Sequence, residues 1–179
     1  MVISGNKAMK KIILCILLIA LSCGTVFSQN TENWNWGGIV RVDPLTTILE
    51  VFAGSVFGYP SFGIIADWVP YVMPCIGIPV EMEVSTLNSI YGIMSGIEAV
   101  PLRHKEKSGL YLSAMGGLYY ISYKMVTFGL KARIGYQLVT DRGFVLTPAV
   151  GVKYLRRSGT INDLGFDLMA GIGFAYKKR

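Results

Sequence analysis

The chain has 179 residues, 52% of them hydrophobic, and its 17 lysines and arginines exceed its 11 aspartates and glutamates for a net charge of +6. This length predicts one domain. The basic balance does not indicate nucleic acid, because no basic stripe is interleaved with stacking aromatic residues. His104 is the single histidine, so no metal-ligand spacing exists and no metal or cofactor is expected.

The first 28 residues have a basic start, a short apolar run and a small-residue end, as in a secretory signal peptide. We expect this signal to be cleaved after Ser28. A short N-terminal segment over residues 29–36 would follow, and then one folded domain over residues 37–179. Because the three lysines of the signal would be removed, 14 bases would remain against 11 acids, and the net charge would fall to +3.

Two alternatives concern the N-terminus. A looser lipoprotein signal would end at Cys23, and translation could start at Met9 instead of Met1. Beyond the signal, Cys75 is the one remaining cysteine, so no internal disulfide is expected. No uninterrupted run of about twenty apolar residues follows either, so a membrane-spanning helix is not predicted.

Beyond residue 36 the side chains alternate between large apolar and small or polar residues, which is typical of strands with two unlike faces. Turn signals divide this region into eight predicted strands. They cover residues 37–52, 62–68, 76–84, 90–101, 110–123, 126–138, 144–154 and 164–176. In the first one Pro44 interrupts the alternation, so we expect a bend or bulge before the strand continues to Phe52.

The last predicted strand shows the two faces most clearly. One face carries large apolar residues, among them Phe166, Leu168 and Phe174, and the other carries Asp167 and glycines. In residues 110–123 hydrophobicity does not decide which face is which. Where the faces are clear, charges accompany glycines, and glycine suits the crowded lumen of a small barrel. The pattern therefore predicts an all-β, closed, antiparallel, up-and-down transmembrane barrel of eight strands with its apolar face toward lipid.

A soluble barrel of the lipocalin type is the alternative, but it would place apolar residues inside and charges outside. With the faces found here, it would expose a very large apolar surface to water. The membrane barrel is therefore the preferred interpretation.

The predicted lumen carries six acids and four bases, a near balance that indicates a plugged polar interior. We expect Lys131 and Arg133 to pair with some of these carboxylates. The predicted lumen charge network consists of Arg41, Asp43, Asp67, Glu81, Glu83, Glu98, Lys131, Arg133, Lys153 and Asp167.

Aromatic residues near the strand ends are typical of the belts found at the two membrane interfaces. The predicted belt residues are Trp36, Trp68, Tyr136, Tyr154, Phe174 and Tyr176.

With its signal peptide, eight strands and two-residue repeat from Trp36 to Tyr176, the chain resembles the small bacterial outer-membrane β-barrels of the outer membrane protein A transmembrane-domain, X and W types. This resemblance implies an outer-membrane location, with outer-membrane lipid and the barrel-assembly machinery as partners. Barrels of this group often end in an aromatic residue that the machinery recognises. Here Phe174 and Tyr176 are followed by the basic tail of residues 177–179.

Three function classes follow from this interpretation. The first is a structural or surface-interaction protein that binds an extracellular ligand through its loops. The second is a narrow pore for small or hydrophobic solutes, as the W-type resemblance implies. The third, a lipid-modifying enzyme, is disfavoured because His104 lies in a charged turn, far in sequence from any embedded serine. We therefore expect no enzymatic activity.

Overall fold

The computed structural model describes residues 36–73, 75–87, 89–100, 103–104, 108–121, 125–156 and 162–177. The expected signal peptide, with its alternatives at Cys23 and Met9, lies outside these residues. So do the middle parts of two predicted loops, residues 122–124 and 157–161.

Strands account for most of the described chain, and the pattern of alternating burial runs through them. Their bounds are β1 (Trp36–Asp43), β2 (Gly63–Met73), β3 (Ile76–Gly77), β4 (Val80–Ser85), β5 (Ile90–Ala99), β6 (Arg103–His104), β7 (Ser108–Ile121), β8 (Met125–Val139), β9 (Phe144–Arg156) and β10 (Asn162–Lys177).

The strands form one closed ring. Neighbours pair antiparallel in the order β5, β4, β2, β1, β10, β9, β8, β7, and β7 pairs back to β5. The short β3 pairs with β2 and β5 and shares one position of the ring with β4, while β6 pairs only with the start of β7. The described residues therefore form an all-antiparallel barrel of eight strands, which confirms the predicted closed antiparallel β-barrel. Closure pairs the sheet edges except along β10 before Ile172, where no part of β1 lies beside it.

The two faces of each strand have opposite character. In β10, Phe166 is 93% exposed while its neighbour Asp167 is buried at 7%. The strand whose face the sequence left undecided, β7, buries Tyr111 and Tyr119 inside and exposes Leu118 outside. The barrel thus has an apolar outer wall and a polar interior, the reverse of a soluble barrel.

A helix interrupts the ring after β1. The prediction that the first strand continues through residues 45–52 is wrong, because these residues belong to α1 (Pro44–Phe57). The helix contacts β2 and β10, the two strands that flank β1. We call this end of the barrel the α1 end, and the end where β1 begins and β10 ends the basal end.

Local signals at both ends explain why this segment is helical. The Asp43 carboxylate accepts hydrogen bonds from the Leu45 N–H at 3.1 Å and from the Thr46 hydroxyl at 2.7 Å, which is the geometry of an N-cap. Pro44 occupies the first helical turn, where a missing N–H breaks no bond. Gly58 ends the helix in the left-handed conformation with φ 78°, which suits glycine best.

Among the described residues, no helix is both long enough and apolar enough to cross a membrane.

The N-cap of α1 can be tested by substitution. We expect Asp43→Ala to destabilise the helix by about 1–2 kcal/mol, because it removes the acceptor for the first turn. Faster hydrogen exchange at the backbone amides of residues 45–47 would report this change. Asp43→Asn keeps an acceptor oxygen and is the matched control. If asparagine were as damaging as alanine, the negative charge and not the cap would be what Asp43 supplies.

Candidate functional site

Arg41, on β1, lies at the centre of the first of two charge clusters inside the barrel. Its guanidinium donates to both carboxylate oxygens of Asp67, at 2.8 Å from Nη2 to Oδ2, and to Glu98 Oε2 at 2.5 Å. Its Nη1 also donates to Gln137 Oε1 at 3.3 Å and to Thr147 Oγ1 at 3.4 Å. All five side chains are buried, and one base therefore holds two carboxylates. We call these five residues the Arg41 cluster; it lies toward the basal end.

The second cluster is built around two neighbouring bases of β8 and lies toward the α1 end. Lys131 Nζ is 2.5 Å from Glu81 Oε1 and 3.2 Å from Glu83 Oε2. Arg133 donates from Nη1 to Glu81 Oε2 at 2.5 Å and from Nε to Asp167. Lys131 Nζ is also 3.8 Å from Asp167 Oδ1, so three carboxylates surround Lys131 and two surround Arg133, as buried charges require. We call this the Lys131 cluster; its members are Glu81, Glu83, Lys131, Arg133, Lys153 and Asp167.

Several of these contacts cross the whole lumen. Lys153 on β9 forms an ion pair with Glu83 on β4, and these strands lie on opposite sides of the ring. In the same way Gln137 Nε2 on β8 donates to the Tyr71 hydroxyl on β2 at 3.1 Å. The side chains of opposite walls therefore meet at two levels of the barrel. An eight-stranded barrel is only wide enough for side chains to fill it.

Tyr119 shows why glycines accompany the charges. Its ring lies where a Cβ on either neighbouring strand would stand: an added Cβ would approach the ring to 2.3 Å at Gly92 and to 2.5 Å at Gly129. The ring packs under the Lys153 ammonium at 4.5 Å, and its hydroxyl donates to Glu83 Oε2 at 3.1 Å. The glycines make room for an aromatic side chain that supports the Lys131 cluster.

All of the charged residues that the sequence assigned to the lumen lie on the inner face. Nine of the ten are buried, and the Lys153 side chain is 16% exposed. Lys131 and Arg133 both pair with carboxylates. Asp43 has different partners: besides capping α1, it accepts a hydrogen bond from the Ala170 N–H at 3.0 Å. The ten residues are Arg41, Asp43, Asp67, Glu81, Glu83, Glu98, Lys131, Arg133, Lys153 and Asp167.

The predicted belt residues are distributed over both ends of the barrel. Four exposed ones are found toward the basal end: Trp68, Tyr136, Phe174 and Tyr176. Among these, Trp68 donates from Nε1 to the Tyr176 hydroxyl at 2.7 Å. Tyr154 is half-buried nearer the α1 end. Trp36 begins β1, but its side chain lies outside the described part of the structure.

Two tyrosines that border the Arg41 cluster had no role assigned from the sequence. Tyr71 donates to Glu98 Oε1 at 3.0 Å, and the Arg41 guanidinium lies 5.3 Å from the centre of the Tyr111 ring. Their alternation along β2 and β7 was a usable signal, but tyrosine suits either face of a membrane barrel. Glu50 was missed because it lies on α1, where the sequence predicted a strand.

The charges within each of the two clusters are paired with one another. The carboxylates of both clusters lie against bases, and no group of three or more metal-ligating side chains occurs within the described residues. The side chain of His104 lies outside that part of the chain. The arrangement is chemically suited to bridging the lumen and holding its walls together.

No protein-family model matches the chain, and neither a curated protein nor a solved structure is significantly similar to it. The functional argument accordingly rests on contacts within this chain.

Removing one base from the Lys131 cluster should destabilise the barrel. We expect Arg133→Ala to cost about 3–5 kcal/mol, because Glu81 and Asp167 lose a buried partner. The measurement is the midpoint of heat unfolding in detergent, which should fall. Arg142→Ala, in the exposed turn before β9, is the control and should change stability by no more than about 0.5 kcal/mol. An unchanged midpoint in Arg133→Ala would contradict a stabilising network.

Proposed function

We propose that the protein is an outer-membrane β-barrel with a plugged lumen and a structural or surface-interaction role. The observation that carries this proposal is the radial arrangement: apolar side chains outside, paired charges inside. In water such a wall would be a very large exposed apolar patch. In a bilayer the same wall would contact lipid acyl chains, and pairing around the ring satisfies most of the strand backbone.

The cross-lumen contacts support a closed interior in preference to a pore. A conducting barrel needs a continuous polar path for water and solute. Here the Lys153–Glu83 and Gln137–Tyr71 contacts join opposite walls, and Tyr119 fills the space beside the first of them. With the interior occupied, the surfaces left for function are the outer wall and the two ends of the barrel.

The finer assignment to the A-, X- and W-type barrels also belongs to this proposal. It is supported by the strand count, the antiparallel order and the two-residue repeat. On this assignment the partners are outer-membrane lipid, the barrel-assembly machinery and an extracellular ligand bound through the loops. A narrow pore for small or hydrophobic solutes is the competing function, and the second experiment below separates it from a plugged barrel.

Membrane insertion can be tested on the outer wall. The protein should fractionate with the outer membrane and migrate differently on a gel before and after boiling. Ile134→Arg, in the middle of β8, should destabilise the inserted barrel by about 2–4 kcal/mol, as a charge on a lipid-facing position does. Asp141→Arg, in an exposed turn, is the control and should leave insertion intact. A protein recovered soluble from the periplasm would overturn the proposal.

Conductance in planar bilayers tests the plug. We expect the unmodified protein to show no current steps under voltage, because the walls of its lumen are joined by ion pairs. Changing Glu83 and Lys153 to alanine removes the link at one level, and changing Tyr71 and Gln137 to alanine as well removes the link at the other, so this fourfold variant should produce measurable steps. Val152→Ala, on the outer face of the same strand as Lys153, should remain silent. Regular steps from the unmodified protein would favour the pore.

A further inference from the structure

Helix α1 has its polar and apolar sides in the same inverted arrangement as the barrel. Thr47 and Glu50 face the barrel, while Phe52 is 69% exposed. The outward face carries no charged residue. Its large exposed members are Ile48, Leu49, Val51, Phe52 and Val56. A helix of a soluble protein normally has its apolar side toward the core.

The contacts of the polar side fix how the helix is turned. The Thr47 hydroxyl donates to the Gly63 carbonyl at 2.6 Å, at the start of β2. An added Cβ on Gly63, which faces the lumen, would meet the Glu50 carboxyl carbon at 2.5 Å. The Leu87 N–H, in the turn after β4, donates to the same carboxylate at 3.4 Å. Glu50 therefore reaches inward over the lumen, and the apolar side of α1 points away from it.

The position of α1 explains what the helix replaces. β1 pairs with β10 only from Ile172 onward, so the described part of β10 before that residue has no strand on its β1 side. α1 starts where β1 stops and contacts both β2 and β10, the strands on either side of that gap. The helix therefore continues the barrel wall beyond the end of β1. Its apolar face continues the outer wall formed beside it by Leu164, Phe166 and Leu168.

The single polar residue of the outward face has its hydrogen bond inside the helix. The Ser55 hydroxyl donates to the Val51 carbonyl at 2.8 Å, four residues earlier. Because of this local bond the hydroxyl does not require a hydrogen bond with water, as is common for serine in membrane helices. With no charge on this face, attraction to charged headgroups cannot account for it, and burial of apolar surface is the remaining driving force.

We infer that α1 is a membrane-embedded wall helix, which closes the gap above β1 and presents its apolar face to lipid acyl chains. The inference rests on the proposed function, because it requires the barrel wall beside α1 to lie in a bilayer. It assigns to the bilayer a surface that would otherwise be counted among the loops at the α1 end of the barrel.

Spin labels on single cysteines test this placement in the full chain, with Cys15, Cys23 and Cys75 changed to alanine. Labels are attached at Phe52→Cys and Val56→Cys on α1, at Ile134→Cys on the barrel wall and at Arg142→Cys in an exposed turn. The protein is inserted into phosphatidylcholine vesicles. Collision rates are then measured with oxygen, which concentrates in lipid, and with a water-soluble nickel chelate.

We expect the ratio of oxygen to nickel collisions at positions 52 and 56 to match that at 134 and to exceed that at 142 several-fold. If positions 52 and 56 behave like 142 while 134 stays lipid-exposed, the helix inference fails and the membrane barrel stands. If position 134 also behaves like 142, the proposed function itself fails. Spectral broadening at 52 that grows with the protein-to-lipid ratio would show that a second copy covers α1, and would likewise overturn the inference.

Discussion

The pairing of buried charges across a narrow lumen is the constraint on which the rest of this barrel depends. An isolated charge in the interior would be strongly destabilising, and a paired one contributes little net stability over apolar packing. The pairs instead specify the register of the strands. A slip of β4 by one residue would turn Glu81 and Glu83 out of the lumen and leave Lys131 with only the more distant Asp167, because neighbouring residues of a strand point to opposite faces. The charges thus select one register for strands whose backbones could pair in several.

Glycine and tyrosine make this charged interior possible. Two neighbouring strands have glycine where the Tyr119 ring lies, so the ring occupies space that two Cβ atoms would otherwise fill. The tyrosine hydroxyl then supports Glu83, and its face supports Lys153. The glycines of the inner face therefore provide the space that the large side chains in the lumen occupy. The strands carry glycine on the lumen face because the interior needs that space.

The amino-acid pattern was sufficient for the barrel and for the set of lumen charges, because both follow from a period of two. It did not identify which charges meet: Glu83 and Lys153 are 70 residues apart, and their contact exists only once the ring closes. It also could not orient β7, since tyrosines and leucines on its two faces are similarly hydrophobic. At residues 45–52 the pattern misled, because Thr46, Thr47 and Glu50 among apolar neighbours give no clear helical period. The capping residues Asp43 and Gly58 were the better local signal.

The helix and the strands nevertheless obey one rule. In both, polar side chains turn toward the lumen, and uncharged apolar side chains turn outward. Strands and helices place their side chains differently. A rule that both obey therefore reflects the environment of the chain and not the geometry of either backbone. Under the proposed function a bilayer is that environment on the outside, because the outward side chains of both the wall and the helix are mostly apolar, while the paired charges face the lumen.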